Sequence, residues 1–448
     1  MLRLRDGQGT LWDEFLPPEI RVLSEELTAI DALLDDDRFL APFALRLMSR
    51  VGRPTIPMET YLRLMYLKHR HALGYETLVK EVADSLSWRR FCRIRLDERV
   101  PHSTTLIKLT KRCGPELIDD LNATLLRTAV ERKLLRSRRL RVDTTATEAD
   151  IRYPTDSGLC AHSVSRLARA VNKVKSVGLA TRTRFRNRRQ KAGKIIRKVS
   201  HALSGRPQDR RSVIDRLTGE LHRLALDTAR EASSVIRNAR RALRARDQRG
   251  VKQLVSLEKE TVLVQRIIDQ TALRLTGERT IANRLISLSD PDARPIRRGK
   301  PQQPTEFGYK VSIADTPEGF VVSHQVYTGN PADAQTLEAA IGGAQAIGVK
   351  VATVFADRGY GDVVGDSALA ARGISDSVIP RKGTAHPRQH TRAWRRRYRW
   401  RAGAEGRISA LKRGYGLRRT RLKGFTGARM WTGFAVLTSN IDRFVALA

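Results

Sequence analysis

The sequence predicts a mixed α/β protein in which helices flank a sheet, with an all-helical region in front and a long basic helical insertion. Apolar residues recur at helical spacing from about residue 20 to 135 and again from about 160 to 290. Alternation with a period of two marks strands near residue 140 and after residue 305. Without the insertion, the order of elements is β, β-hairpin, α, β, α, β, α, which is typical of helices layered on a mixed sheet.

Residues 1–135 are predicted to form an N-terminal helical DNA-binding domain. The stretch IPMETYLRLMYLKHRHALGYETLVKEVADSLSWRRFCRI repeats apolar residues at helical spacing and is broken at Gly74. The hydroxyl residues at 103–105 can cap a following basic helix. Short helices that end in a basic one fit a helix-turn-helix-like domain, although any small helical bundle shows the same pattern.

The first strand of the sheet is predicted at RLRVDTTATEAD, where Leu140 and Val142 alternate with Arg141 and Asp143. Residues 161–299 then predict a basic helical insertion, in which TRTRFRNRRQKAGKIIRK is almost a polycation. Two roles suit this insertion, namely clamping of DNA and contact between subunits. A purely structural pair of helical arms fits its sequence equally well.

The sheet domain is predicted to consist of residues 136–160 and 300–448. After the proline- and arginine-rich joint DPDARPIRRGKPQQP, a hairpin is predicted with its turn at DTPEG. Further elements are predicted in this order: a helix at DAQTLEAAIGGAQAIG, a strand at VKVATVFAD, a helix near 367–372, a strand at DSVIP, a helix over 398–412 and a last helix near 428–444.

The charge of the chain points to a polyanionic partner. The 448 residues include 84 lysines and arginines against 47 aspartates and glutamates, a formal net charge of +37. Such a charge repels itself unless a polyanion neutralises it, so nucleic acid is the expected partner, and a basic surface kept only for solubility is the alternative.

Three cysteines that lie far apart, with no Cys-x-x-Cys pair, argue against a zinc site and against a disulfide framework. The N-terminus lacks the apolar core of a signal peptide, and no apolar run reaches about 18 residues. We therefore expect a cytoplasmic, DNA-associated protein without a membrane partner.

Three carboxylates stand out by their positions. Asp143 lies in the first strand, Asp357 ends the apolar strand VATVFAD, and Glu405 lies on the helix at 398–412. Converging at one sheet edge, they would form a hard oxygen site suited to Mg²⁺, or to Mn²⁺ in its place. Two such ions about 4 Å apart can promote phosphodiester displacement. Taken singly, each acid also suits an ordinary role as a turn former, a helix cap or an ion-pair partner.

The helix at 398–412 places four functional groups in one stripe. At about 100° per residue, Tyr398, Arg401, Glu405 and Lys412 fall within roughly 60° of one another. The carboxylate can bind a metal while its cationic neighbours hold phosphates. The glycines at 403 and 406 would let a nucleic-acid backbone or the sheet approach closely.

The stretch YRWRAGAEGRISALK matches the pattern Tyr-x2-Arg-x3-Glu-x6-Lys at every position. Together with DTT from residue 143 and DRGY from residue 357, the chain resembles the DDE transposases of bacterial insertion sequences, in the branch named for that signature. The N-terminal helical stretch and the segments DIRYPTDSGL, DPDARPIRRGKP and KRGYGLRRTRLKG share the resemblance. Here the long insertion follows the first aspartate, whereas members of the family often carry one between the second aspartate and the glutamate.

The resemblance implies a ribonuclease-H-like catalytic domain and a catalytic metal-binding triad of Asp143, Asp357 and Glu405. It also implies that Tyr398, Arg401 and Lys412 contact the phosphates of the element end, and we expect Arg358 to join them.

The expected function is that of an insertion-sequence transposase. It would bind terminal inverted repeats in double-stranded DNA, hydrolyse phosphodiester bonds there with two Mg²⁺ ions, and join the 3′-hydroxyls to target DNA. A homodimer in a synaptic complex is the expected active form. The alternatives are a structure-specific nuclease of the same fold and a non-catalytic DNA-binding protein that acts as a repressor or an architectural protein.

Overall fold

The computed structural model describes residues 1–6, 17, 19, 22–48, 51–204, 210–243, 247–278, 280–297, 305–383 and 387–448. The chain divides into two compact units. The first consists of Met1–Asp150 and Ile296–Ala448, and the second of Ile151–Pro295. The predicted division into residues 1–135, 136–160 with 300–448, and 161–299 stays a prediction, and its boundary at 299/300 lies outside the described residues.

The first unit holds six helices before its sheet, numbered here among the described residues: α1 (Glu25–Leu34), α2 (Ala41–Leu47), α3 (Met58–Arg70), α4 (Tyr75–Asp84), α5 (Leu86–Phe91) and α6 (Ser103–Glu131). The second unit holds α7 (Asp156–Ser176), α8 (Arg189–Ser204), α9 (Arg210–Ala242) and α10 (Gln248–Leu275). The later helices are α11 (Leu337–Ala346), α12 (Val363–Ala371), α13 (Arg392–Tyr398), α14 (Gly403–Gly414) and α15 (Gly424–Val445).

Seven strands form one mixed sheet: β1 (Arg139–Ala149), β2 (Arg294–Arg297), β3 (Thr305–Asp315), β4 (Val321–Tyr327), β5 (Thr353–Phe355), β6 (Asp376–Val378) and β7 (Arg419–Thr420). Strand β3 pairs antiparallel with both β1 and β4, whereas β1, β5 and β6 run parallel. Strands β2 and β7 join β3 and β1 respectively. This arrangement confirms the predicted mixed α/β class with a ribonuclease-H-like sheet flanked by helices.

The N-terminal helices share their core with the C-terminal helix. Helix α15 is buried along most of its length and packs on α1, α3 and α6. The hydroxyl of Tyr66 on α3 donates to Asp442 at 2.7 Å, and the Asn122 amide on α6 donates to the Gly433 carbonyl at 3.0 Å. The buried side chain of Arg63 donates to Asp31 at 2.7 Å and so fastens α1 to α3. These contacts make the N-terminal helices part of the first unit.

The second unit has a hydrophobic core of its own. Helices α7, α9 and α10 pack together on apolar faces, and α8 covers α7 and α9. This unit is the predicted long basic helical insertion. In the part of the chain that the structure describes, no helix is long and apolar enough to cross a membrane.

One predicted helix is divided in the structure, and helix α6 is interrupted within its length. The predicted helix over 398–412 is divided, because α13 ends at Tyr398 and a 3₁₀ turn (Arg399–Ala402) precedes α14. Helix α6 is broken at Gly114, whose φ of +71° and following proline interrupt the helical hydrogen bonds. The stripe expected along one continuous helix is therefore carried by three consecutive elements.

Candidate active site

The sheet register places Asp143 and Asp357 side by side. In the parallel pair β1–β5, Arg141 is the register partner of Phe355. Asp143 lies two residues after Arg141, and Asp357 lies two residues after Phe355. Because side chains alternate along a strand, both carboxylates lie on the same face of the sheet. Strand β5 lies within the apolar stretch VATVFAD and is mostly buried. Asp357 comes just after this strand and caps the 3₁₀ turn that follows.

Arg401 lies between these two carboxylates. Its Nη2 atom is 3.3 Å from Oδ2 of Asp143 and 3.5 Å from Oδ2 of Asp357, so the two oxygens are at most 6.8 Å apart. Two like charges this close repel each other, and the shared guanidinium offsets that repulsion. The buried Nε–H of Arg401 has no hydrogen-bond partner among the described residues. A donor in that state is available to a further acceptor.

Arg141 holds the turn that carries Arg401. The guanidinium of Arg141 donates to the Trp400 carbonyl at 2.8 Å and lies 4.8 Å from the centroid of the Trp400 ring. A β-carbon added at Gly403 would lie 2.4 Å from Nη1 of Arg141. The glycine therefore leaves space for this guanidinium. By contrast, a β-carbon at Gly406 would meet nothing within 4 Å.

A third aspartate, Asp333, adjoins the pair and was missed by the sequence analysis. Its Oδ1 atom accepts hydrogen bonds from the Thr144 hydroxyl at 2.7 Å and from Nζ of Lys310 at 2.6 Å. Lys310 is buried and also donates to the Pro331 carbonyl. In sequence Asp333 stands in PADAQT, an acid after a proline turn. Such an acid is ordinary there, and only the tertiary fold brings it next to Asp143–Thr144.

Gly359 and Tyr360 lie beneath the three aspartates. A β-carbon at Gly359 would lie 2.7 Å from Asp333 Oδ2 and 2.8 Å from Asp357 Oδ1, so only glycine fits between the two carboxylates. Burial raises the pKa of Tyr360 well above its usual value, and the nearby aspartates raise that pKa further. The phenol therefore stays protonated at neutral pH.

Tyr398 and two tryptophans border the site. Burial raises the pKa of Tyr398, while Arg401 lowers it and the two aspartates of the pair raise it. Its ring stacks on Trp394, with centroids 4.9 Å apart. Trp400 instead packs edge-on against Phe355 of β5 at 4.8 Å. Trp400 thus has a packing role, which secures the turn on the sheet.

The remaining predicted residues are placed as follows. Glu405 is exposed in the first turn of α14, and Lys412 is half-buried in its last turn. Arg358 is exposed and donates to the carbonyls of Arg381 and Gly383, both at 3.1 Å. Across the described ranges, no three histidine, cysteine, aspartate or glutamate side chains are grouped so that they could hold a metal ion. The structure thus brings together Asp143, Asp357, Arg401 and Tyr398, and the triad with Glu405 stays a prediction.

The donor set of the pair suits a hard divalent cation. Proteins typically hold Mg²⁺ through one or two carboxylates together with substrate phosphate oxygens. Asp143 and Asp357 supply two carboxylates on one face of the sheet, and a bound ion would replace the Arg401 guanidinium as the positive charge that contacts both. The residues present therefore fit one such ion. A second ion would need a further ligand, for which Glu405 is the predicted candidate.

Two family models match the chain. Residues 13–112 match the model described as "Transposase domain (DUF772)", and residues 260–441 match the "Transposase DDE domain". The second match includes Asp357, Arg401 and Glu405 and begins after Asp143. Residues 113–259, which contain β1 and α7–α9, lie outside both matches.

A similar curated protein is the "Uncharacterized protein ORF8 in nfe locus" of Rhizobium meliloti. It is 29% identical over 157 residues, which are 34% of this chain and 74% of that protein. No solved structure matches the chain.

Proposed function

This chain belongs to the DDE transposases of insertion sequences, and from that membership we propose that it cuts the ends of its element and joins them to target DNA. Transposases of this family act on DNA and generally use divalent metal ions. The proposal adds hydrolysis at terminal inverted repeats followed by transesterification with the freed 3′-hydroxyls. The observation that supports it most directly is the aspartate pair held by Arg401 on one face of the sheet.

We assign metal binding to Asp143 and Asp357, with Glu405 as the third ligand. Two Mg²⁺ ions, or Mn²⁺ in their place, supply Lewis-acid activation of the attacking oxygen and stabilisation of the leaving oxygen when bound. Asp143 is held in orientation by the Thr144 amide, which donates to its Oδ1 at 2.8 Å. The Gly359 amide donates to Oδ1 of Asp357 at 2.7 Å in the same way. These backbone contacts fix both carboxylates before substrate arrives.

Arg401, Tyr398, Lys412 and Arg358 are assigned to phosphate binding. The free Nε–H donor of Arg401 suits a phosphate oxygen, because a guanidinium presents several donors in a fixed plane. Tyr398 retains its phenolic proton, since its pKa is raised, and can donate a hydrogen bond. Arg358 also ties the backbone at 381–383 to the turn that follows Asp357.

We assign recognition of the element ends to the N-terminal helices. Two ends must be processed together, so the active form is proposed to be a homodimer in a synaptic complex.

A strand-transfer assay tests the proposal. A linear duplex that carries the inverted repeats bracketing the gene is incubated with the protein, Mg²⁺ and a supercoiled target plasmid. We expect nicked ends with 3′-hydroxyls and joined products. Cleavage without joining would identify a nuclease instead. Glu405→Gln tests the third ligand: excision at the wild-type rate would remove Glu405 from the catalytic set.

One observation favours the non-catalytic alternative. Glu405 is exposed, and the described residues contain no group of three metal-binding side chains. If the wild-type protein binds the element ends but yields neither nicked nor joined DNA with Mg²⁺ or Mn²⁺, the chain is a DNA-binding repressor or architectural protein.

A further inference from the structure

The second unit contains a long stretch without acidic residues. Residues 157–208 include 14 lysines and arginines but no aspartate or glutamate. This stretch covers most of α7 and all of α8, which lie outside both family matches. The acids of the unit lie mainly on α9 and α10, where several pair with arginines, as Glu258 does with Arg240 at 2.7 Å. The positive charge is therefore concentrated on one part of the unit.

Helix α8 presents this charge to solvent. Its apolar face, with Ala192, Ile195 and Val199, is buried in the core of the unit. Three exposed lysines follow one stripe centred about 100° around the helix from this apolar face; at about 100° per residue they lie within roughly 60° of one another. We call them the lysine stripe: Lys191, Lys194 and Lys198. Like charges three and four residues apart destabilise a helix, so the stripe costs helix stability unless an anion lies against it.

The loop before α8 is held in a fixed position. Glu231 on α9 accepts from the Arg186 amide and the Arg188 guanidinium, both at 2.7 Å. The Asn238 amide donates to the Thr183 hydroxyl at 3.0 Å. The side chains of Arg182, Arg184 and Arg186 are exposed on this anchored loop. A surface that is ordered before binding loses less conformational entropy when a ligand arrives.

We infer that the lysine stripe and the anchored loop before it bind the phosphate backbone of duplex DNA without reading its sequence. Duplex DNA carries one negative charge per about 1.7 Å of its axis, and the stripe covers about 10 Å of helix at 1.5 Å per residue. Lysine is a compact point charge that binds phosphate without a fixed orientation to bases. This role lies beyond end cleavage and joining, and it concerns a region outside both family matches.

The test measures the salt dependence of DNA binding by the full-length protein. The probe is a random-sequence DNA duplex in a buffer with EDTA, which removes divalent metal ions, so that binding is measured without cleavage. In the stripe variant, Lys191, Lys194 and Lys198 are replaced by glutamine. The matched control replaces three exposed cations of α10 (Arg249, Lys252 and Lys259), which lie on one side of that helix with acids beside them.

We expect the stripe variant to reduce the slope of log K against log salt by up to about 3, since each phosphate contact contributes about 0.9. Its affinity at 0.1 M salt should fall about tenfold or more. The control variant should keep the wild-type slope. Equal losses in both variants would show a general charge effect and overturn the inference, as would an unchanged slope in the stripe variant.

Two further measurements complete the test. The melting temperature of the unbound stripe variant should equal or exceed that of the wild type, because repulsion within α8 is removed. If the stripe variant binds double-stranded RNA more weakly than the wild type but binds DNA equally well, RNA is the partner and the inference is contradicted. The binding assay involves no cleavage or joining. Its result therefore does not depend on whether the wild type performs strand transfer.

Discussion

Arg141 and Asp315 are register partners on β1 and β3, and they form a buried ion pair under the turn that carries Arg401. The Arg141 Nε atom donates to Asp315 Oδ1 at 2.9 Å, while its Nη1 atom donates to the Trp400 carbonyl. One side chain therefore joins the centre of the sheet to the candidate active site. Each partner is desolvated, and Asp315 has one further ion-pair contact among the described residues, with Nε of Arg407 at 3.4 Å. Loss of Arg141 therefore leaves Asp315 buried with this weaker contact alone.

Replacement of Arg141 by methionine should lower the free energy of unfolding by up to about 3–5 kcal/mol, because buried Asp315 then keeps only the longer contact with Arg407, at 3.4 Å, among the described residues. Adding Asp315→Leu should recover most of this loss. Urea denaturation followed by circular dichroism measures both changes. The surface pair Arg381–Asp366 is the control, and Arg381→Met should cost at most about 1 kcal/mol. A similar loss in both single variants would contradict the role given to burial.

Gly403 and Gly406 of α14 should respond to replacement by alanine in opposite directions. Gly406→Ala should raise the free energy of unfolding by up to about 1 kcal/mol, since alanine favours helix and the space beside it is open. Gly403→Ala should lower it, because the new methyl group meets the Arg141 guanidinium, which is fixed by two partners. Thermal unfolding of the two variants measures the difference. Stabilisation by Gly403→Ala would show that Arg141 moves aside freely.

Asp357→Asn should abolish cleavage and joining while the protein still binds DNA. Loss of a metal ligand removes several kcal/mol of transition-state stabilisation, which corresponds to a rate lower by about 10³-fold or more. Single-turnover cleavage of labelled element ends measures the rate, and gel shift in EDTA measures binding. Asp366→Asn is the matched control, since that exposed carboxylate pairs only on the surface with Arg381. Cleavage at the wild-type rate by Asp357→Asn would refute the assignment.

Asp333 is predicted to position Thr144 beside Asp143. Asp333→Asn should weaken Mn²⁺ binding and slow cleavage by about 10- to 100-fold, as is typical of groups that orient metal ligands. Thr144→Val should reproduce part of the effect, and Thr144→Ser should restore it, because serine keeps the hydroxyl that donates to Asp333. Isothermal titration with Mn²⁺ gives the affinity independently of activity. Unchanged affinity in Asp333→Asn would reduce its role to an ion pair with Lys310.

The buried Lys68 predicts a pH dependence of stability. Burial and, to a smaller extent, the charge of Arg421 together lower the pKa of Lys68 from its ordinary 10.5 to about 7. Its Nζ lies over the rings of Trp431 at 4.0 Å and Tyr75 at 4.7 Å. Between pH 7 and pH 10.5 the unfolded chain binds more protons at this lysine than the folded chain. The free energy of unfolding should therefore rise with pH across this window, by about 1.4 kcal/mol per pH unit.

Lys68→Met should lack this rise and should exceed the wild type in stability at pH 6. Guanidinium denaturation at a series of pH values compares the two proteins, so other titrating groups cancel in the difference. Burial lowers the pKa of neighbouring His69 in both proteins, whereas the contribution of the Lys68 charge to that lowering is present only in the wild type. If the free energy of unfolding changes with pH in the same way for Lys68→Met and the wild type, the aromatic rings stabilise the charged lysine fully.

Much of the fold could be predicted because local pattern and long-range packing agree there. The alternation around Asp143 and the apolar run before Asp357 identify two central strands, and the register of the sheet then sets these acids side by side. The signature residues at 398 and 401 could likewise be chosen by spacing. The contacts of Arg401 with the aspartates, and the effect of the aspartates on the pKa of Tyr398, show only that these groups are close, since the expected single helix is interrupted at 399–402.

The rest depends on contacts between residues far apart in the chain. Asp333 meets Thr144 across 189 residues of sequence, and Arg141 meets Trp400 across 259. No local pattern distinguishes Asp333 from an ordinary turn residue. Similarly, the glycines at 403 and 406 look equivalent in sequence, and only the packing of Arg141 separates them.

The shared core of α15 and the N-terminal helices has a consequence for synthesis on the ribosome. The partners of α3 and α6 include Asp442 and Gly433, which are translated 376 residues after Tyr66 and 311 residues after Asn122. Helices α1–α6 therefore cannot complete their packing before α15 has been synthesised. A product that ends prematurely would leave their apolar faces uncovered, so it would be a target for proteases rather than a stable competitor for the ends of the element.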